Sequence, residues 1–235
     1  MQRVRGVVYL PNRLNSLNVG LPTINTGKFT NERRRRGRGK GRISTTGIKV
    51  FYNNINGYNS KKQSLEQIMK AVNPDIIVLC ETKRGGCLKK DELEQYKVIP
   101  KNTKPGKEGL LVGVRKESFK SVREITETEL TNIITVRIEY PKMNLRVIVA
   151  HAPQETDKDE ERSEFFEEME VQIERAEDSG DELLVVGDFN ARLSCTAGNI
   201  VAENGSPNGM KLAELTKKYD MDICNFHENT WGRWT

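Results

Sequence analysis

The chain has 235 residues, 36% of them hydrophobic, and a formal charge of +5, enough for one domain core with an appendage. No apolar run approaches the ~20 residues a membrane span needs, so no membrane partner is expected. Cys80, Cys87, Cys195 and Cys224 show no close zinc-type pairing and follow no secretory leader, which predicts reduced thiols in an intracellular compartment.

Residues 1–47 read as a basic, disordered N-terminal extension, and 48–235 as one folded domain. Arg33, Arg34, Arg35 and Arg36 open the run RRRRGRGKGR, seven basic residues in ten. Such a run cannot bury itself and attracts phosphates by counterion release. It reads either as a nuclear-localisation or nucleic-acid contact, or as a merely solvated tail.

Ile48 to Tyr52 is a strand-like run that leads into Asn53-Asn54-Ile55-Asn56-Gly57. A helix is expected from Ser60, as its cap, to Val72, with Leu65, Ile68, Met69 and Val72 at helical spacing. Pro74 stops it, and Asp75 begins a buried strand through Cys80 that ends in Glu81-Thr82-Lys83. Tyr96–Pro100, Gly109–Arg115, Phe119–Ile125, Asn132–Tyr140 and Asn144–Ala150 read as a meander, with Pro141-Lys142-Met143 as a hairpin connection. The last of these strands leads into His151-Ala152-Pro153-Gln154, where the proline must end regular pairing.

Asp159 to Asp178 is an acidic outer helix with Phe165, Met169, Ile173 and Ala176 on its buried face. The apolar run Leu183-Leu184-Val185-Val186 then ends abruptly in Gly187-Asp188-Phe189-Asn190, as a doubly covered strand delivers polar groups to a sheet edge. Asp188 and Asn190, two apart, share a side if the strand continues. Glycine, aspartate and asparagine are also turn formers, so this segment alone fits an ordinary strand-ending turn equally well. A helix over Pro207–Tyr219, carrying Met210, Leu212, Leu215 and Tyr219, and a strand over Met221–Phe226 complete the order.

The repetition of this design decides between those readings. Four strands deliver Asn54, Asn56, Glu81, His151, Asp188 and Asn190 to one rim. Carboxylates mixed with carboxamides are hard ligands, which suit magnesium with retained waters better than zinc or copper. The reaction class is metal-assisted phosphoester hydrolysis.

The ordered segments NNING, VLCETK, HAPQ and GDFNA resemble the motifs of the endonuclease/exonuclease/phosphatase superfamily, from about Ile48 onward. HAPQ, an acidic helix and GDFNA look most like the endonuclease domain of LINE-type, non-LTR retrotransposons. The resemblance implies an α/β fold, a four-layer α/β/β/α sandwich of two packed mixed sheets flanked by helices. It implies Mg2+, with Mn2+ as an alternative, held by Asn54, Asn56 and the principal ligand Glu81. Asp188 falls on the aspartate that activates the attacking water, and Asn190 on the asparagine that holds the phosphate. His151 stands where most relatives have a phosphate-contacting tyrosine. Lys83 and Arg84 read either as contacts to a DNA backbone or as solvated surface charges, and Trp231 and Trp234 as base-stacking or core aromatics.

Family members continue into further strands and a Ser-Asp-His motif. This chain ends at TWGRWT, and neither His151 nor His227 lies in that context. The expected sandwich therefore lacks its last strands and leaves strand edges exposed. Removing one stabilising group commonly costs ~10²–10³ in rate, which predicts an inactive or weak enzyme. The leading expectation is a DNA-nicking endonuclease related to proteins that also carry a reverse transcriptase. The alternatives are an abasic-site repair nuclease or phosphatase of the same superfamily, and a non-catalytic nucleic-acid-binding remnant. The basic run favours a nuclear location.

Overall fold

The longest apolar runs of the sequence become the central strands of two sheets, because only a strand covered on both faces can use them. A computed structural model describes residues 6–9, 23–24, 48–84, 93–101, 108–196, 199–201 and 205–223. In chain order the elements are β1 (Gly6–Tyr9), β2 (Thr23–Ile24), β3 (Ile48–Asn54), α1 (Tyr58–Val72), β4 (Ile76–Cys80), β5 (Tyr96–Lys101), β6 (Leu110–Arg115) and β7 (Ser121–Glu124). There follow β8 (Ile133–Glu139), β9 (Asn144–His151), α2 (Asp159–Ser179), β10 (Glu182–Asp188), β11 (Ser194–Thr196), β12 (Asn199–Val201), α3 (Pro207–Lys218) and β13 (Asp222–Ile223).

One sheet runs β2-β3-β4-β6-β5 and the other β13-β1-β10-β9-β8-β7. Both are mixed: β3 and β4 are parallel, as are β9 and β10, while β4–β6 and β8–β9 are antiparallel. The hairpin at Pro141 forms as expected, with Tyr140 N donating to Met143 O at 2.8 Å.

Alternation along the strands builds the four layers. Val50, Tyr52, Val78 and Val112 from the first sheet meet Val136, Val147, Val149, Leu184 and Val186 from the second in a central core. The opposite faces of β3 and β4, through Phe51, Ile77 and Leu79, pack under Leu65 and Met69 of α1. Ile148, Ala150, Leu183 and Val185 pack under Phe165, Met169 and Ile173 of α2 and Leu212 and Leu215 of α3. This is the expected sandwich.

Several boundaries differ for identifiable reasons. Helix α1 starts at Tyr58, not at Ser60, because its entry is tied to the exit of β4: Gly57 N donates to Glu81 O at 2.8 Å and Tyr58 N to Thr82 O at 2.9 Å. Gly57, at φ 104°, is the cap, and the Ser60 hydroxyl lies inside the first turn and donates back to Gly57 O. In α3, Met210 is 38% exposed, and the buried face is Leu212, Ala213, Leu215 and Thr216. The strand after α3 covers Asp222–Ile223, and 224–226 lie outside the described residues.

Two short strands lie within the N-terminal 47 residues, one in each sheet. Gly6–Tyr9 pairs parallel with β10, from Gly6 opposite Leu183 to Tyr9 opposite Val186, and β13 pairs on its other side. Thr23–Ile24 pairs antiparallel with β3. Both segments satisfy backbone groups that would otherwise be bare edges. Arg33 to Arg36, like Cys87, Cys224, His227, Trp231 and Trp234, lie outside the described residues.

Candidate active site

Parallel pairing puts the C-terminal ends of two strands side by side in each sheet. Asn54 lies opposite Cys80 in the first sheet, so Glu81 leaves β4 next to it. In the second, His151 lies directly opposite Asp188. Gly187 permits this closeness, since a Cβ there would stand 1.9 Å from Ala150 O.

The two pairs meet at the rim. Asn54 Nδ2 donates to Glu81 Oε1 at 2.7 Å and to Asp188 Oδ2 at 3.0 Å, so one carboxamide joins the sheets. His151 Nε2 is 3.6 Å from Glu81 Oε1, and its Nδ1 is 3.6 Å from Glu108 Oε1. Ligating atoms of Glu81, His151 and Asp188 all fall within 4.8 Å of one another. Asp188 and His151 are each 7% exposed.

The electrostatics follow from this crowding. Hydrogen bonding to His151 holds the Glu81 carboxyl down at about 2 against the upward push of burial, with Asn54 and Lys83 assisting. Burial pushes His151 downward, but the carboxylates of Glu108, Glu81 and Asp188 outweigh it and raise the imidazole to about 9. Burial, with the carboxylates of Asp188 and Glu81 adding to it, sends the neighbouring Cys80 thiol up to about 12, consistent with an inert packing role.

Asn190 and Asn56 are placed differently from a simple strand continuation. Strand β10 stops at Asp188, and Asn190 turns into the left-handed region at φ 44°. Its backbone N–H donates to Asp188 Oδ1 at 3.0 Å and its side chain to Ala152 O at 2.7 Å. Asn56, also left-handed at φ 45°, is exposed at the rim, where its side-chain oxygen accepts from Lys83 Nζ. Its backbone N–H donates to Asn54 Oδ1 at 3.3 Å. Lys83 folds inward to within 3.3 Å of Glu81 Oε2, while Arg84 lies over the Tyr58 ring at 5.0 Å. With Glu81 at φ 51° and Lys83 at φ 52°, four site residues occupy a backbone region that non-glycine residues avoid.

Glu108 has no counterpart among the sequence-based candidates. It stands two residues before β6 with no motif around it, and only the fold brings it to His151.

Two carboxylates and a carboxamide converging at a partly open rim form a donor set suited to a hard divalent cation that keeps some of its waters. Glu81 remains ionised across the neutral range, and Asp188 is already supported by two hydrogen bonds. The residues fit such an ion.

Solved structures with the same architecture include an AP endonuclease from Leishmania major (14% identity, TM-score 0.55, 73% of this chain and 66% of that one). An AP endonuclease from Archaeoglobus fulgidus matches at 15% identity and TM-score 0.54, over 73% of this chain and 70% of that one. A 3′ phosphatase from Neisseria, solved with a product DNA hairpin, matches at 16% and 0.52, over 72% and 70%. Comparison with curated protein sequences gives no match. A model of the Endonuclease/Exonuclease/phosphatase family matches residues 54–235, from the asparagine that joins the two sheets onward, and the chain belongs to that family.

Proposed function

We propose that this chain is a magnesium-dependent phosphodiester hydrolase that nicks DNA in the manner of a retrotransposon endonuclease. The observation that carries the reading is the convergence of Glu81, His151 and Asp188, from both sheets, within 4.8 Å. The order NNING, ETK, HAPQ and GDFNA supports the subfamily.

Glu81 and Asp188, with the Asn54 carboxamide, would hold the ion. When bound, magnesium would polarise the phosphate and offset charge on the departing oxygen. Asp188 is fixed at both oxygens, by Asn190 N and Asn54 Nδ2, which orients it to accept a proton from the attacking water. His151 is buried with Glu81 facing its Nε2 and Glu108 its Nδ1, each at 3.6 Å, and in this reading it supplies positive charge beside the phosphate. Lys83 and the basic run at Arg33–Arg36 are proposed to follow the nucleic-acid backbone, and that run also to favour a nuclear location.

The test is nicking of supercoiled plasmid by the purified chain over a magnesium titration, beside Glu81→Ala and Asp188→Ala. Nicking lost in both variants supports the reading. Turnover of an abasic duplex or a soluble phosphoester in place of intact plasmid would move the assignment to a repair nuclease or phosphatase. A folded chain that binds DNA with steep salt dependence and never turns over would make it a binding remnant.

A further inference from the structure

We infer that Asn208 is a positioning residue that locks the two strand exits of the active site to each other; the inference rests on the hydrolase reading above. Asn208 is completely buried in the first turn of α3. Its Nδ2 points at three carbonyl oxygens, those of Pro153 at 2.8 Å, Phe189 at 3.1 Å and Asn190 at 3.4 Å. Pro153 lies just past His151 on the exit of β9, and Phe189 and Asn190 lie just past Asp188 on the exit of β10. One amide thus fastens both segments from behind.

The rest of that turn is built to hold Asn208 there. The Ser206 hydroxyl caps the helix by accepting from Gly209 N at 3.3 Å and accepts from Arg192 N at 3.0 Å, while Ser206 N donates to Arg192 O at 3.0 Å. A Cβ on Gly209 would stand 2.0 Å from Arg192 O, so only glycine lets the helix approach this closely. The four residues Ser206-Pro207-Asn208-Gly209 form a latch on the segment following Asp188.

The chemistry admits few replacements. Three acceptors converging on one point require a donor of neutral charge; aspartate would set a carboxylate against three carbonyl oxygens, and leucine would leave them without their partner. The amide oxygen of Asn208 is buried with no hydrogen-bond partner, so its orientation serves the carbonyls. On the front side the same two segments are joined by Asn190 Nδ2 to Ala152 O at 2.7 Å and by Ala152 N to Asp188 O at 2.7 Å. Asn208 fixes the back of that junction, and with it the left-handed turn at Asn190.

The experiment compares Asn208→Ala and Asn208→Ser with Thr216→Val, a buried α3 position whose hydroxyl bonds only within its own helix. Thr216→Val perturbs the same helix without touching the latch. In magnesium-dependent nicking, Asn208→Ala is expected to lose ~10–100-fold in kcat with KM within about twofold, as supporting contacts commonly do. Asn208→Ser, which keeps a donor, recovers part of this, and Thr216→Val retains wild-type kcat. Equal kcat in Asn208→Ala and Thr216→Val overturns the inference. A second readout does not need turnover: in Asn208→Ala the backbone amide resonances of Phe189 and Asn190 should shift and exchange with solvent at least ~10-fold faster, while that of Asn54 stays in place. A wild-type chain with no activity sinks the hydrolase reading; unchanged Phe189 and Asn190 amides sink the latch.

Discussion

Asn54 and Asp188, 134 residues apart, are joined by a 3.0 Å hydrogen bond from the carboxamide of one sheet to the carboxylate of the other. The same nitrogen donates to Glu81 at 2.7 Å, so Asn54 sets the separation of the two proposed metal-binding carboxylates. Asn54→Ala should therefore reduce magnesium-dependent nicking by about 10²-fold, the scale of a misplacement near 1 Å. Asn54→Asp should be worse, because a third carboxylate replaces the donor between two others. Thermal unfolding with magnesium and with chelator separates the effects: Asn54→Asp should gain more from the ion than the wild type does.

Glu108 is a second test of the site. It faces His151 Nδ1 at 3.6 Å, while Glu81 faces Nε2 of the same ring at 3.6 Å. Glu108→Gln should leave the fold intact, since the side chain is exposed, and should lower kcat by ~10–100-fold, as loss of a supporting partner commonly does. His151→Tyr, which keeps a hydrogen-bond donor at this position, should retain more activity than His151→Ala. Wild-type kcat in Glu108→Gln would remove Glu108 from the site.

How much of this was legible in the sequence depended on range. Leu183–Val186 and Ile76–Leu79 declared themselves as doubly buried strands because every residue in them is apolar, and their exits marked Asp188 and Glu81. The turn conformations were not legible. Asn56 and Asn190 follow their strands by two residues as a continuing strand would require, yet both are left-handed, and the Asn56 side chain accepts from Lys83. Glu108 and Asn208 gave no local signal, because what makes them functional is which distant carbonyl or imidazole the fold sets beside them. Helix α3 does begin at Pro207 as read from the sequence, with the Ser206 hydroxyl as its cap in the structure.

Away from the site, Asp181 predicts an acid limit to stability. Its side chain is fully buried and accepts two hydrogen bonds from Arg137, at 2.8 and 3.0 Å, with Arg146 at 3.5 Å. Burial pushes its carboxyl up, but Arg137, with Ser179 and Arg146, outweighs that and holds it below the ordinary 3.8. A depressed folded-state value stabilises the protein above the unfolded value, and that contribution disappears as pH falls through the folded one. Asp181→Ala should cost on the order of 3 kcal/mol at pH 7 by stranding buried guanidinium charge. Urea midpoints measured downward from pH 7 should keep this gap until about pH 4 and narrow it below; a gap constant with pH would contradict the assignment.

The last prediction concerns β1. Its four residues pair in parallel with Leu183–Val186, the strand that ends in Asp188, although they lie outside the residues matched by the family model. A strand in that position satisfies backbone groups of β10 that are too deeply placed to turn to water. At a net ~0.5–1.5 kcal/mol per backbone hydrogen bond, deleting residues 1–12 should lower unfolding stability by roughly 2–4 kcal/mol. It should also expose a strand edge that promotes self-association. Hydrogen exchange gives the sharper reading: amides of Leu183–Val186 that face β1 should lose protection in the deletion variant, while those of Val147–Val149, paired from both sides by β8 and β10, should keep theirs. Equal protection of both sets in the two proteins would show that β10 does not depend on the N-terminal strand.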